Sequence, residues 1–231
     1  MKSLLSCRLP RPGVSRKGFT LVEVLVLIAV VAILASMLFP YQPRRTRPAS
    51  VVCMSHLHQI GLGFLKFAND HANQFPPHLS RTMGGSMEAI GNGSPAPHFQ
   101  TLSNYLLGNW QAWICPSDKL KYPATNYATF GDQNTSYFLS LDATPANTNR
   151  PAYVILVGDR HLAVAGRPVA PGRFALTTNA AIGWTTELHR GGTESRGALL
   201  FVDGNVEFID GRTLPARVER QGLATNWLAV P

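Results

Sequence analysis

Residues 17–39 read KGFTLVEVLVLIAVVAILASMLF. From position 19 to 39 it holds 21 residues with a single charge, Glu23. A helix rising about 1.5 Å per residue makes that run roughly 32 Å long, enough to cross a hydrocarbon core. A secretory signal peptide has a shorter apolar run followed by a small-x-small cleavage site. Here the small residue, Gly18, comes before the apolar run. Residues 1–18 carry Lys2, Arg8, Arg11, Arg16 and Lys17 and no acid. Such a basic flank holds a leader on the cytoplasmic side of a membrane.

Glu23 needs a partner, because an ionised carboxylate in an apolar span is costly and marks function by default. If the chain is cut after Gly18, the new α-amino group of Phe19 is a cation at similar depth. In a stack of parallel helices, Glu23 of one copy can neutralise the amino terminus of its neighbour and set the axial register. The run Lys17-Gly18-Phe19-Thr20-Leu21-Val22-Glu23-Val24-Leu25 resembles the class III signal of type IV pilins and type II secretion pseudopilins. That resemblance implies a membrane peptidase that cuts between Gly18 and Phe19 and N-methylates Phe19. The implied partners are this prepilin peptidase/N-methyltransferase, other pilin or pseudopilin subunits, and inner-membrane assembly machinery. The implied location is the bacterial inner membrane, spanned once, with the rest of the chain outside the cytoplasm and later in a periplasmic or surface filament.

The formal charge of the 231 residues is +8, which raises a nucleic-acid reading. Five of those charges sit in the leader, and 16 basic against 13 acidic side chains remain in the rest. No nucleic-acid partner is therefore expected. Arg44, Arg45 and Arg47 can touch acidic lipid head groups. Cys7 lies in the leader, so Cys53 and Cys115 remain as a disulfide candidate in an exported chain. They lack the close paired spacing of a zinc site.

Further along, Pro40, Pro43 and Pro48 interrupt the helix, so 40–48 reads as a Pro/Arg-rich break before a globular domain at 49–231. Cys53, Leu57, Ile60, Phe64 and Phe67 mark one buried face of a second helix over 49–73. Residues 74–98 read as a surface loop and 99–107 as a short helix. Strands are expected over 137–141, 152–157, 196–202 and 205–209. Asp203-Gly204 between the last two signals a two-residue hairpin turn.

The globular part carries a second resemblance, to pseudopilin-like proteins abundant in planctomycetes and verrucomicrobia. It rests on Cys53-Met54-Ser55-His56-Leu57 with Gln59-Ile60-Gly61, Asn69-Asp70, Phe75-Pro76, Cys115-Pro116-Ser117-Asp118, Val157-Gly158-Asp159, and His189 ahead of Asp203-Gly204. In that family about nine residues separate the histidine from Asp-Gly, whereas thirteen intervene here. A further family histidine is replaced by Asn205.

Little in the chain points to catalysis. His56 and His58 are two apart on a helix and face different ways, while His71, His78 and His98 sit in loop-like sequence and read as solvated. No nucleophile elbow, His-Glu-x-x-His or phosphate loop occurs, and the chain is read as no enzyme. His189 with Asp203 and Gly204 reads as a structural turn. Asp203, Asn205 and Asp210 are weak calcium candidates; no other metal or cofactor is expected.

The reading is an α+β, loop-rich, pilin-like chain. Its N-terminal transmembrane helix continues into a helix packed on a small antiparallel sheet. The function is that of a structural pilin or pseudopilin subunit, processed by the peptidase and assembled into a type IV pilus or type II secretion pseudopilus. The rivals are a membrane-tethered surface binding module and, behind it, a tethered hydrolase.

Overall fold

The computed structural model describes residues 18–38, 48–147, 151–191 and 194–231. The leader up to residue 17, with Cys7, and residues 39–47 of the span end and break lie outside the described residues. The chain divides between Thr46 and Arg47 into two units.

In the first unit, helix α1 spans Leu21–Leu38. Its start is fixed by a capping box. Thr20 Oγ1 accepts the Glu23 N–H at 3.3 Å, and Glu23 Oε2 accepts the Thr20 N–H at 2.8 Å. Two of the four orphan amides of a helix N-terminus are thereby satisfied. The cap removes 19 and 20 from the expected 21-residue helix. The 18 helical residues make about 27 Å. Among the described residues no helix is long and apolar enough to cross a membrane. The described helix is therefore shorter than the transmembrane helix expected over 19–39, whose last residue lies outside the described residues. Apolar side chains cover α1 all round, from Leu21 and Val22 to Ile33 and Leu34, and all are exposed within the unit.

The second unit is α+β and antiparallel. Helix α2 runs over Ala49–Asp70, behind Pro48 at its N-cap. Its stripe of Cys53, Leu57, Ile60, Phe64 and Phe67 is buried to 1% exposure or less. The helix stops three residues short of 73 because Ala72 and Asn73 take left-handed conformations, with φ of 51° and 59°.

The short helix α3 is Ala96–Gln100. The strands are β1 Tyr137–Ser140, β2 Ile155–Asp159, β3 Leu162–Val164, β4 Arg167–Pro168, β5 Gly172–Thr177, β6 Ile182–Trp184, β7 His189–Gly191, β8 Glu194–Phe201 and β9 Val206–Asp210; helix α4 Leu214–Arg220 and strand β10 Thr225–Val230 close the chain. The main sheet has seven strands ordered β5-β10-β1-β2-β8-β7, with β9 also on β8; β4-β3-β6 form a second sheet. The sheet is thus larger than the small one expected. The chain's last segment supplies β10, a strand between β5 and β1.

Alternation puts Tyr137, Leu139, Ala198 and Leu200 on the α2 face, and Phe138, Leu199 and Phe201 on the other, with α4. Gly61 lets α2 lie close to β8, since a Cβ there would stand 2.7 Å from Leu200 Cδ1. A register shift between Ile155 and Val157 makes a bulge in β2. Ile155 faces away from α2, but Val157 faces it. The extra residue therefore turns Val157 and, two on, Asp159 toward the helix.

Residues 74–98 are corrected from surface loop to packed structure. Phe75, Leu79, Ala89 and Ala96 are buried there, folded into three 3-10 turns and the start of α3. Phe75 packs edge-on against Phe64 of α2, with ring centroids 5.2 Å apart. Apolar residues scattered among turn formers lack periodicity, so the sequence hid this second cover of the core. The helix expected over 99–107 is α3, displaced toward the N-terminus.

Candidate functional site

The described edge of the N-terminal motif is open. Nothing lies within 4 Å of the position a Cβ of Gly18 would take, and Phe19 is 85% exposed. The Gly18–Phe19 peptide bond thus lies outside helix α1, just ahead of the Thr20 cap, with both residues exposed. Glu23 is occupied in cis by Thr20, whose hydroxyl also donates to Oε2 at 3.0 Å.

In the second unit the fold gathers four reactive side chains: Cys53, Cys115, Asp159 and His189. Their sulfur, oxygen and nitrogen atoms all lie within 4.8 Å of one another. Each comes from a different element. The buried stripe of α2 delivers Cys53. The Cys-Pro-Ser-Asp turn delivers Cys115, with the Asp118 N–H bonded to the Cys115 carbonyl at 2.9 Å. The bulge of β2 turns Asp159 inward. Strand β7 follows β2 along the same edge of β8, because β9 takes the other edge, and its first residue is His189. All four are buried, with His189 the most accessible at 8%.

Cys115 Sγ is 3.2 Å from His189 Nε2, and Cys53 Sγ is 3.3 Å from Asp159 Oδ1. The same His189 Nε2 lies 3.7 Å from Asp159 Oδ2. Ser117 Oγ stands 3.3 Å from His189 Nδ1, the Ala198 N–H donates to Asp159 Oδ2 at 2.7 Å, and Tyr137 Oη is 3.4 Å from Cys53 Sγ.

The charges are strongly coupled. The hydrogen bond from Cys53 lowers the Cys115 thiol to about 5 against its burial, with His189 assisting. Cys53 itself moves up, through that same bond, burial and the nearby Asp159. Burial first, then the Cys115 charge, raises Asp159 to about 7. Burial alone would depress His189, but the Cys115 hydrogen bond and the two negative neighbours raise it.

The expected Cys53–Cys115 disulfide is not formed; both are free thiols, brought together as the pairing required. Their sulfurs are engaged by Asp159, Tyr137 and His189 instead. His189 is not part of a turn but opens a strand, facing Arg196 across the ladder. The hairpin turn is also shifted. The Gly204 N–H bonds the Phe201 carbonyl at 2.9 Å, so Val202 and Asp203 are its centre, and only Gly204 is left-handed, at φ 87°. This is a turn followed by a glycine bulge, not the two-residue turn expected.

The calcium candidates are not gathered. Asp203 and Asn205 stand before β9 and Asp210 ends it, about 17 Å along the strand. Asp203 Oδ1 accepts the Asn205 N–H, and Asp210 Oδ1 accepts from the Arg212 and Thr213 amides. The histidines read as solvated fare differently from one another. His98 is fully buried with Ser86 Oγ at 2.7 Å from Nδ1, while His71 stacks on Phe67.

Sequence reading missed the four-residue cluster because its members are far apart along the chain. Cys53 and Asp159 are 106 residues apart, and Cys115 and His189 are 74 apart. The only signal was that each falls in a motif of the second resemblance.

Residues 14–39 match the family described as the prokaryotic N-terminal methylation motif. No curated protein and no solved structure matches the chain. The chain therefore carries a prepilin-type N-terminal methylation motif, which marks it as pilin- or pseudopilin-like at its N-terminus.

Proposed function

We propose that this chain is a structural pilin or pseudopilin subunit. The prepilin peptidase cuts between Gly18 and Phe19 and methylates Phe19. The apolar segment 19–39 then holds the subunit in the inner membrane as a single pass until helix packing draws it into a type IV pilus or secretion pseudopilus. The observation that carries this reading is the conjunction of the matched motif with a helix that is apolar all round and holds one acid. A helix with no polar face has nothing to present to water, so lipid or neighbouring helices must cover it. Glu23 adds the element of register. Its carboxylate caps its own helix, and in the assembled state the methylated amino terminus of a neighbour supplies the countercharge.

The second unit is the part such a subunit displays outside the cytoplasm. Its burial of Cys115, Asp118 and His189 fits a rigid display domain. The experiment is co-expression with a prepilin peptidase and a pilus assembly machinery, followed by separation of membranes from sheared filaments. Processed chain is expected in both fractions. A chain released from membranes by alkaline extraction and absent from filaments contradicts the proposal.

A further inference from the structure

We propose that Cys53, Cys115, Asp159 and His189 form a tetrahedral site for a divalent transition metal, with zinc the best match to the donor set. The inference concerns the second unit alone and stands apart from the pilin reading.

Distances carry it first. Zinc binds thiolate sulfur at about 2.3 Å and imidazole nitrogen or carboxylate oxygen at about 2.0–2.2 Å. A tetrahedron built on such bonds has edges of about 3.4–3.8 Å. The observed edges are 3.2 Å for Cys115 to His189, 3.3 Å for Cys53 to Asp159 and 3.7 Å for His189 to Asp159. No donor pair exceeds 4.8 Å. Small movements would seat an ion among all four.

The surroundings fit as well. Metal-binding histidines are held by a partner on the other ring nitrogen, and ligating carboxylates are themselves hydrogen-bonded. Ser117 Oγ faces His189 Nδ1, which leaves the Nε2 lone pair for the cluster. The Ala198 N–H holds one oxygen of Asp159 at 2.7 Å. Buried charge requires compensation, and Asp159 is fully buried with no arginine or lysine paired to it in the described residues. A divalent cation between two thiolates and that carboxylate supplies it. Thiolate and imidazole donors select zinc over calcium or magnesium, which want oxygen alone.

The same geometry argues against a thiol hydrolase. A Cys-His-Asp relay places the acid and the nucleophile on opposite ring nitrogens. Here both Cys115 and Asp159 face Nε2. Four protein ligands with no open position make a structural site, which would pin α2, the Cys-Pro-Ser-Asp turn, β2 and β7 together. A cleft of about 320 Å³, lined in part by Ser50, Ser117, His189 and Arg196, opens beside His189 and gives an ion a way in.

The test uses the full chain, purified in detergent under reducing conditions. Elemental analysis is expected to find about one zinc per chain. His189→Ala should retain less than a tenth of it, and His189→Cys, which keeps a donor, most of it. Ser117→Ala should weaken zinc binding about 10- to 100-fold. Because His189→Ala could also lose metal by unfolding, the wild-type chain is stripped and titrated with cobalt(II) alone. A thiolate-to-cobalt charge-transfer band saturating at one equivalent supports the site. Absence of that band, zinc content unchanged in His189→Ala, or a Cys53–Cys115 disulfide in chain isolated without added reductant, overturns it.

Discussion

Asp118 and Arg160 offer a measurement in which burial alone sets the size of an effect. Arg160 Nε donates to Asp118 Oδ2 at 2.7 Å and a second guanidinium nitrogen to Oδ1 at 3.1 Å. The Asp118 side chain is 1% exposed and that of Arg160 16%. Arg217 and Glu207 make a still shorter contact, 2.5 Å, but each is 28% exposed. Removing one partner of a buried pair strands the other charge, at a cost of about 3–5 kcal/mol. Exposed pairs are worth only about 0.2–1 kcal/mol. Because Arg160 keeps some contact with water, Asp118→Ala should fall at the low end, about 3 kcal/mol. For a unit of this size that is a fall in Tm of roughly 6–12 °C, against about 4 °C or less for Glu207→Ala. Arg160→Leu should be at least as harmful as Asp118→Ala, since it leaves the less exposed partner alone. Thermal unfolding of the full chain in detergent, followed by tryptophan fluorescence, reads the second unit because Trp113 and Trp184 are buried there. Equal losses in Asp118→Ala and Glu207→Ala would refute the reasoning.

Acid should weaken the same unit through His98. Burial, with His78 nearby, lowers His98 to about 4 from 6.5, and burial lowers His78 too. A depressed histidine takes up its proton more readily in the unfolded chain, so stability is full above about 6.5 and is lost as pH falls toward 4. Between pH 7 and pH 5, His98 alone should account for a loss of about 2 kcal/mol; an equal pH slope in His98→Leu, read by urea titration, would contradict this. Gly204→Val should cost about 1–3 kcal/mol, because φ is 87° and the new Cβ would meet Leu65 Cδ1 at 3.0 Å, while Gly204→Asn should be milder. Unfolding midpoints that match wild type would remove the bulge argument. Glu23→Gln keeps an acceptor for the Thr20 amide but not the charge, whereas Glu23→Ala loses both. Both should insert in the membrane and both should be depleted from sheared filaments; normal abundance of Glu23→Gln would show that capping, not charge pairing, is what assembly needs.

What the sequence made legible was whatever has a short period or a local motif. The α2 stripe follows from spacing of three and four, and the β8–β9 hairpin from its Asp-Gly signal, although the glycine turned out to be the bulge residue and not half of the turn. The Thr20–Glu23 capping box is legible too, as Thr-x-x-Glu at the head of an apolar run. Long-range assembly was not legible. Strand β10 is a short apolar segment at the chain's end, and nothing local says that it pairs with both β1 and β5. The packed stretch 74–98 has turn residues without periodicity, and its buried Phe75 and Leu79 are visible only once α2 is in place. The four-residue cluster needed a bulge in β2 and two strands sharing one edge of β8. No spacing along the chain encodes that.

Processing at the N-terminal motif can be read by mass spectrometry of the chain from cells that contain a prepilin peptidase. The mature N-terminal peptide should begin at Phe19, carry one added methyl group on its α-amino nitrogen, and lack residues 1–18. An intact leader in those cells, or a terminus at any other bond, would contradict it.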